Sequence, residues 1–221
     1  LAAHGLPRAK LVAIDNAAAA PPQPGSRGEL LAELGLEARA RLLAVVGPLE
    51  RRKRIEDAIW AADLLKVVRD DVHLLIIGRG PHQPLLERFR HLVRIADKVH
   101  FLGRRADLGR IWPNIDLLLA PGDELGQPVA AVEAMAAGVP VVAADAPGAR
   151  ELIDDEQTGC LVRRGDRANL ARWANILLDD PARCARLSAA ARQRWSERFR
   201  PETVLARWAE LYAECIERRA E

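Results

Sequence analysis

A chain of 221 residues can bury a substantial core as one domain or two small ones, and a composition of 49% hydrophobic and 29% charged residues excludes the disordered and fibrous classes. The 33 basic and 31 acidic side chains nearly cancel to a formal charge of +2 without any long charge block, so nothing in the balance calls for nucleic acid or an anionic membrane as partner. Cys160, Cys184 and Cys215 are odd in number, far apart and without CxxC spacing, which argues against a disulfide framework or a thiolate zinc site and fits a reducing cytoplasm.

The chain opens at Leu1, with no cleavable signal and no apolar run of the ~18 to 20 residues that span a bilayer. It reads as a fragment whose upstream part is missing. A short apolar stretch, LVAIDNA (residues 11–17), passes into Ala, Pro, Gly and Ser, so residues 17–28 read as linker. A short helix over 29–36, closed by Gly35, precedes the apolar run RLLAVVG (41–47), which suits a strand buried on both faces. Helical spacing over 55–68 leads to the strand HLLIIG (73–78), then to a helix over 85–95. VHFLG (99–103), DLLLAP (116–121) and VPVVAAD (139–145) supply three more strands, with helices near 108–112 and 128–137 between them; CLV (160–162) is a sixth. Residues 167–178, 181–198 and 201–218 are all helical, with Pro181 and Pro201 placed in first turns that tolerate them.

Strands alternating with helices at this spacing predict parallel pairing through right-handed crossovers. The expected fold is α/β, a doubly wound, Rossmann-like parallel sheet of about six strands with a C-terminal helical tail. In such a sheet the ligand belongs at the carboxyl ends of the strands, where the strand order reverses.

Two strand exits carry chemistry. The first strand runs into GPLERRKRIEDAI (47–59), a Gly turn followed by Arg51, Arg52, Lys53 and Arg54 and then a helix. Cations beside the unsatisfied amides of a helix start form an anion site, although a solvated basic turn has the same composition. The fourth strand runs into PGDELGQPVAAVEAMAAG (121–138), where Gly126 and Pro128 precede a helix that carries Glu133. Amides at that helix start can face a phosphate or a sugar hydroxyl, and a carboxylate one turn on can accept from vicinal hydroxyls. Among apolar neighbours, Glu133 either points into a polar cleft or makes a structural ion pair. The five histidines have no ligand spacing, and His73 and His100, which open strands, read as structural or surface residues. GRGP (78–81) reads as a turn, and Trp173, Trp195 and Trp208 as packing residues.

The stretch EAMAAGVPVVAADAPGARELIDDEQTGCLVRRGD (133–166) resembles the signature region of the family 4 retaining glycosyltransferases, and LLIIGRGP, VHFLGR, DLLLAP and FRPETVLARWAELY (199–212) follow in the expected order. The resemblance implies the C-terminal, donor-binding half of a GT-B fold. Residues 1–28 would be the interdomain crossing segment and linker, 29–200 the nucleotide-sugar-binding domain, and 201–221 a helix packing back toward a missing N-terminal acceptor domain. It implies that Lys53 binds the donor diphosphate and Glu133 the ribose hydroxyls, and that these two carry the donor chemistry. The amides of Gly126, Gln127, Pro128 and Val129 would face the donor sugar or phosphate, and backbone near Gly103 and Arg104 would border the base. No metal or other cofactor is implied.

Two positions depart from the family's pattern. Its first motif Glu falls on Leu125, with Glu124 and Asp123 just upstream as possible replacements, and its diphosphate-binding Arg falls on Pro48, with Arg51, Arg52 and Arg54 nearby. The expected partners are therefore a nucleotide diphosphate sugar and an acceptor (a sugar, lipid or other small molecule) held by the missing domain. That domain could also make peripheral membrane contact. The alternative is a catalytically degenerate domain of this fold that acts as a binding or interaction module.

Overall fold

The computed structural model of the protein describes residues 7, 10–21, 25–123 and 126–220. Six strands, β1 (Arg41–Val46), β2 (Val72–Ile77), β3 (Val99–Gly103), β4 (Leu117–Ala120), β5 (Val141–Ala144) and β6 (Cys160–Val162), form one all-parallel sheet in the order β3-β2-β1-β4-β5-β6. Strand β1 is flanked by β2 on one side and β4 on the other, so the order reverses between β1 and β4. This is the doubly wound α/β sheet that the strand and helix spacing predicts.

The apolar strands are continuous rather than alternating because both sheet faces are covered. Leu42, Ala44, Leu75, Ile77, Val141 and Ala143 pack toward one layer, while Leu43, Val45, Leu74, Ile76, Leu119 and Val142 pack toward the other. The first layer is built from α1 (Arg27–Glu33), α5 (Val129–Ala137) and α8 (Pro181–Arg198), the second from α2 (Ile55–Lys66), α3 (Gln83–Leu92) and α7 (Arg167–Asp179). Each fully buried Leu or Ile in these layers contributes roughly 1.5–3 kcal/mol.

Helix α1 begins two residues before the expected helix start at 29, inside the stretch expected to be linker. Ser26 caps it by accepting from the Glu29 amide, and Arg27 reaches the Ala40 carbonyl at 2.8 Å and the Asp116 carboxylate at 2.7 Å. Between β3 and β4 lie α4 (Leu108–Ile111) and a 3-10 turn at Trp112–Asn114. A helix absent from the sequence expectation, α6 (Pro147–Leu152), follows β5; Pro147 starts it, and its six residues are too few to show a period.

Asp166 and Asp180 cap α7 and α8. Trp195 is buried and donates to the Ala18 carbonyl at 2.9 Å, so the segment before α1 is packed against α8. Among the described side chains of helix α9 (Pro201–Ala220), Val204 alone is buried. Leu205, Trp208, Tyr212 and Ile216, three or four residues apart, share one exposed stripe, where Trp208 stacks on Tyr212 at 5.9 Å. Among the described residues no helix is long and apolar enough to cross a membrane.

Candidate functional site

At the carboxyl ends of β1 and β4 lies a cleft of about 340 Å³ whose wall includes Gly47, Pro48, Lys53, Pro121, Gly122, Gln127, Pro128, Val129, Ala130 and Glu133. A second cleft of about 540 Å³ opens beyond the ends of β2 and β3, between Ile77, Gly78, Arg79, Arg104, Arg105 and Leu108, and shares Gly47 and Pro48 with the first. A third, of about 340 Å³, lies beneath Glu133, between Trp112 and Ala17–Pro21 of the segment before α1. The three together make a continuous trough over the point where the strand order reverses.

The strand ends come close because two glycines permit it. A Cβ built on Gly78, at φ +146°, would fall 1.9 Å from the Gly47 carbonyl oxygen, which only glycine avoids. Past Gly47 the chain forms a 3-10 turn at Arg51–Lys53 and enters α2 through Arg54, held at the left-handed φ of +48°. Lys53 folds back over this exit, with its ammonium 3.5 Å from where a Gly47 Cβ would stand.

A left-handed Arg costs roughly 1 kcal/mol of backbone strain, and Asp57 offsets it. Its carboxylate, 2% exposed, accepts from Arg54 Nε at 2.7 Å and from Arg167 Nε at 2.6 Å. Asp123 extends the network, accepting from Arg164 at 2.6 Å while its backbone N–H bonds the Arg52 carbonyl at 2.8 Å. The bond from Arg164 holds the Asp123 carboxyl below its ordinary range. The cations near Pro48 are thus partly committed: Arg54 to Asp57, and Arg52 to Glu50 at 2.7 Å. Arg51 stays exposed on the turn.

On the other wall, Pro128 stands at the N-cap of α5 without any side-chain cap. Its carbonyl accepts from Ala131 at 2.9 Å; Val129 and Ala130, both on the cleft wall, are the first two residues of the helix and their N–H groups have no helical carbonyl to meet. Pro128 itself has no N–H, so of the expected run of amides it contributes none, and Ala130 takes its place. A proline N-cap is the sequence signal that would have found Ala130. Gln127 reaches the cleft wall too, but its side chain bonds Asp15 and Asn16.

Glu133, one turn into α5, is half-buried between the first and third clefts. Among the described residues no cation pairs with it; its partner is the indole Nε1 of Trp112, which donates to Oε2 at 3.1 Å. Burial raises its pKa above the ordinary glutamate value, and the indole bond opposes that rise. Of the two readings left open for this residue, the structure therefore favours the cleft-facing carboxylate.

Arg104 is exposed on the wall of the second cleft, where Arg79 also lies, its guanidinium 3.4 Å from a Cβ built on Gly103. The turn reading of GRGP overlooked Arg79. Glu124 and Leu125 lie outside the described residues. Lys53, Gln127, Pro128, Val129 and Glu133 are brought to one trough, with Arg104 at its far end, whereas Gly126 is on the wall of none of the three clefts and sets its carbonyl against Gly148 of α6. Among the described residues no three His, Cys, Asp or Glu side chains converge as a metal site needs. Cys160, Cys184 and Cys215 are free, and burial pushes the Cys160 thiol up to about 12.

A doubly wound parallel sheet with a basic turn on one strand end, an uncapped helix start on the next and a trough between them at the topological switch point defines an α/β protein of the Rossmann-like class. Residues 26–194 match the model of the glycosyl transferases group 1, and the chain belongs to that family. It is 33% identical over 172 residues to glycogen synthase of Mycobacterium tuberculosis, covering 77% of this chain and 42% of the relative. It is 28% identical over 189 residues to N-acetyl-alpha-D-glucosaminyl L-malate synthase of Bacillus anthracis, covering 85% and 49%. The chain thus spans about half the length of the curated relatives it matches. Among solved structures, Anabaena Alr3699/HepE in complex with UDP superposes with a TM-score of 0.83 at 26% identity, covering 91% of this chain and 57% of that one. The same protein is also known in complex with UDP-glucose.

Proposed function

We propose that the chain is the donor-binding half of a retaining glycosyltransferase of the family 4, GT-B type, gripping a nucleotide diphosphate sugar in the trough at the β1–β4 switch point. One observation carries this reading: Val129 and Ala130 at the start of α5, Lys53 and Glu133, from two strand exits, line a single cleft. The two amides and the ammonium favour the diphosphate, whose negative charge grows as the glycosyl bond breaks, and so stabilise the leaving group electrostatically. Glu133 accepts from the ribose hydroxyls, a task suited to a carboxylate whose only bonding partner among the described residues is Trp112. Arg79 and Arg104 border the base. The UDP and UDP-glucose complexes of the Anabaena structure support a nucleotide-sugar ligand.

In this reading the acceptor, whether sugar, lipid or another small molecule, belongs to an N-terminal part of the longer protein, residues 1–28 cross into this half, and the apolar stripe of α9 packs back on that part. The diphosphate is met by cationic and backbone donors, so no metal or other cofactor is invoked. The protein works in the cytoplasm, with any membrane contact peripheral and made by the N-terminal part. Family 4 membership itself rests on the run 133–142.

Calorimetric titration with UDP, GDP and ADP tests the reading. Saturable micromolar binding of at least one, lost in Glu133→Ala, supports it; absence of heat with all three sinks it. The second reading, a domain that keeps the fold and serves as an interaction module, is favoured by Pro48, which offers the cleft neither charge nor hydrogen-bond donor, and by the commitment of Arg54 to Asp57. Nucleotide binding without sugar transfer by the longer protein would select it.

A further inference from the structure

The loop that enters α5 is bonded to the segment before α1. Gln127, next to the N-cap Pro128, accepts from the Asn16 N–H through Oε1 at 2.8 Å and donates from Nε2 to Asp15 Oδ1 at 2.5 Å. Its own carbonyl accepts from Asn16 Nδ2 at 3.3 Å. Both ends of one amide side chain are thereby committed to residues more than a hundred positions away. Asp15 is held from the other side by Arg198, at 3.1 and 3.2 Å, and the Ala18 N–H bonds the Phe199 carbonyl at 3.1 Å. The connector thus bridges the end of α8 and the wall of the cleft.

Behind the loop there is no slack. A Cβ built on Gly148, in the first turn of α6, would fall 1.9 Å from the Gly126 carbonyl oxygen, so the loop already rests on α6. The bonds to Asp15 and Asn16 tie the same loop to the connector. Val129 and Ala130, which line the cleft, follow Gln127 by two and three positions, so any shift of Gln127 carries them along.

We propose that Gln127 is a positioning residue that couples the connector at Asp15–Asn16 to the helix start that receives the diphosphate, so that ligand in the cleft and order in the connector reinforce one another. By linkage the coupling is reciprocal: whatever displaces the connector weakens the ligand, and the ligand holds the connector. The ligand side of this proposal rests on the function proposed above; the mechanical side does not.

Amide exchange followed by NMR on the whole chain, together with UDP titration, tests it. The reporters are the Asn16 amide, bonded to Gln127, and the Ala131 amide, bonded to Pro128 in the first turn of α5. In Gln127→Leu both exchange about tenfold faster, the effect of losing roughly one net hydrogen bond, and UDP binds about three- to tenfold more weakly. Gln127→Glu, which sets a carboxylate against Asp15, has a larger effect. Adding Asp15→Asn to it restores a donor facing that carboxylate and returns both exchange rates to within about twofold of the parent. Faster exchange at Asn16 with no change at Ala131, or failure of the double substitution to rescue, overturns the coupling. If the parent chain binds none of UDP, GDP and ADP, the ligand reading is lost, while the two exchange rates still decide the mechanical one.

Discussion

The Trp112 indole donates to the Glu133 carboxylate across 3.1 Å, and this bond is all that meets a half-buried acid on the wall of the cleft among the described residues. An indole N–H supplies one hydrogen bond and no charge, so the cost of removing the carboxylate from water is only partly offset. The acid is left with accepting capacity that a ligand's hydroxyls can use.

That cost gives a prediction in pH. Burial raises the Glu133 pKa above its unfolded value, so the folded state binds more protons than the unfolded state as pH rises through that window, and stability falls. Glu133→Gln keeps an acceptor for Trp112 and removes the charge. Its Tm at neutral pH is expected to rise by up to about 2–4 °C, the response of a chain of this size to ~1 kcal/mol, while nucleotide affinity falls at least about tenfold. Differential scanning calorimetry between pH 4 and 8 reads the first effect, and an unchanged pH profile would rule out desolvation as the origin of the shift.

Pro48 is the position where a gain is expected. It lies on the wall shared by the first and second clefts and carries no charge. Pro48→Arg places a guanidinium beside the proposed diphosphate and should tighten UDP or GDP binding about five- to tenfold at low salt, with the gain shrinking as salt is raised. An affinity unchanged within about twofold would mean that the diphosphate is not held at this wall.

The network under the basic turn is structural first. Asp57 is 2% exposed and balances both Arg54 and Arg167. Asp57→Ala leaves two guanidinium groups without their carboxylate and frees the left-handed Arg54. A loss of about 2–4 kcal/mol in urea unfolding is expected, together with weaker nucleotide binding because the turn that carries Lys53 is held at Arg54 by Asp57. A cost below about 1 kcal/mol would show that the turn holds its shape without Asp57.

Far from the cleft, His73 Nδ1 and His100 Nε2 meet at 3.0 Å on neighbouring strands, a contact that needs one ring to donate and the other to accept. Burial, with Lys98 nearby, lowers the His73 pKa to about 4. The folded state therefore binds fewer protons than the unfolded one between about pH 6.5 and 4, and stability present above that window is lost as pH falls through it. Because the ring is only partly buried, the loss should be on the order of 1 kcal/mol. His73→Gln should flatten this acid limb, as read by thermal melts across the window.

The sheet was legible because its strands are short apolar runs ended by glycine or proline, and only buried parallel strands combine those features with intervening helices. Helix α6 escaped because six residues show no period, and α1 began early because the Ser26 cap was not recognised. For the site, the residue types at two strand exits sufficed to single out Lys53 and Glu133. The bond from Trp112 to Glu133, the commitment of Arg54 to Asp57 and the grip of Gln127 on Asp15 join residues distant in the chain or turn on backbone shape, and neither is written in local spacing. Arg79 was passed over because GRGP looks like any turn.

An NMR titration of the whole chain with UDP and GDP tests the central claim most directly. The account predicts saturable shifts concentrated at Gly47, Lys53, Val129, Ala130 and Glu133, with the second cleft at Arg79 and Arg104 responding to the identity of the base. Saturable shifts centred elsewhere, or none at millimolar nucleotide, would contradict it.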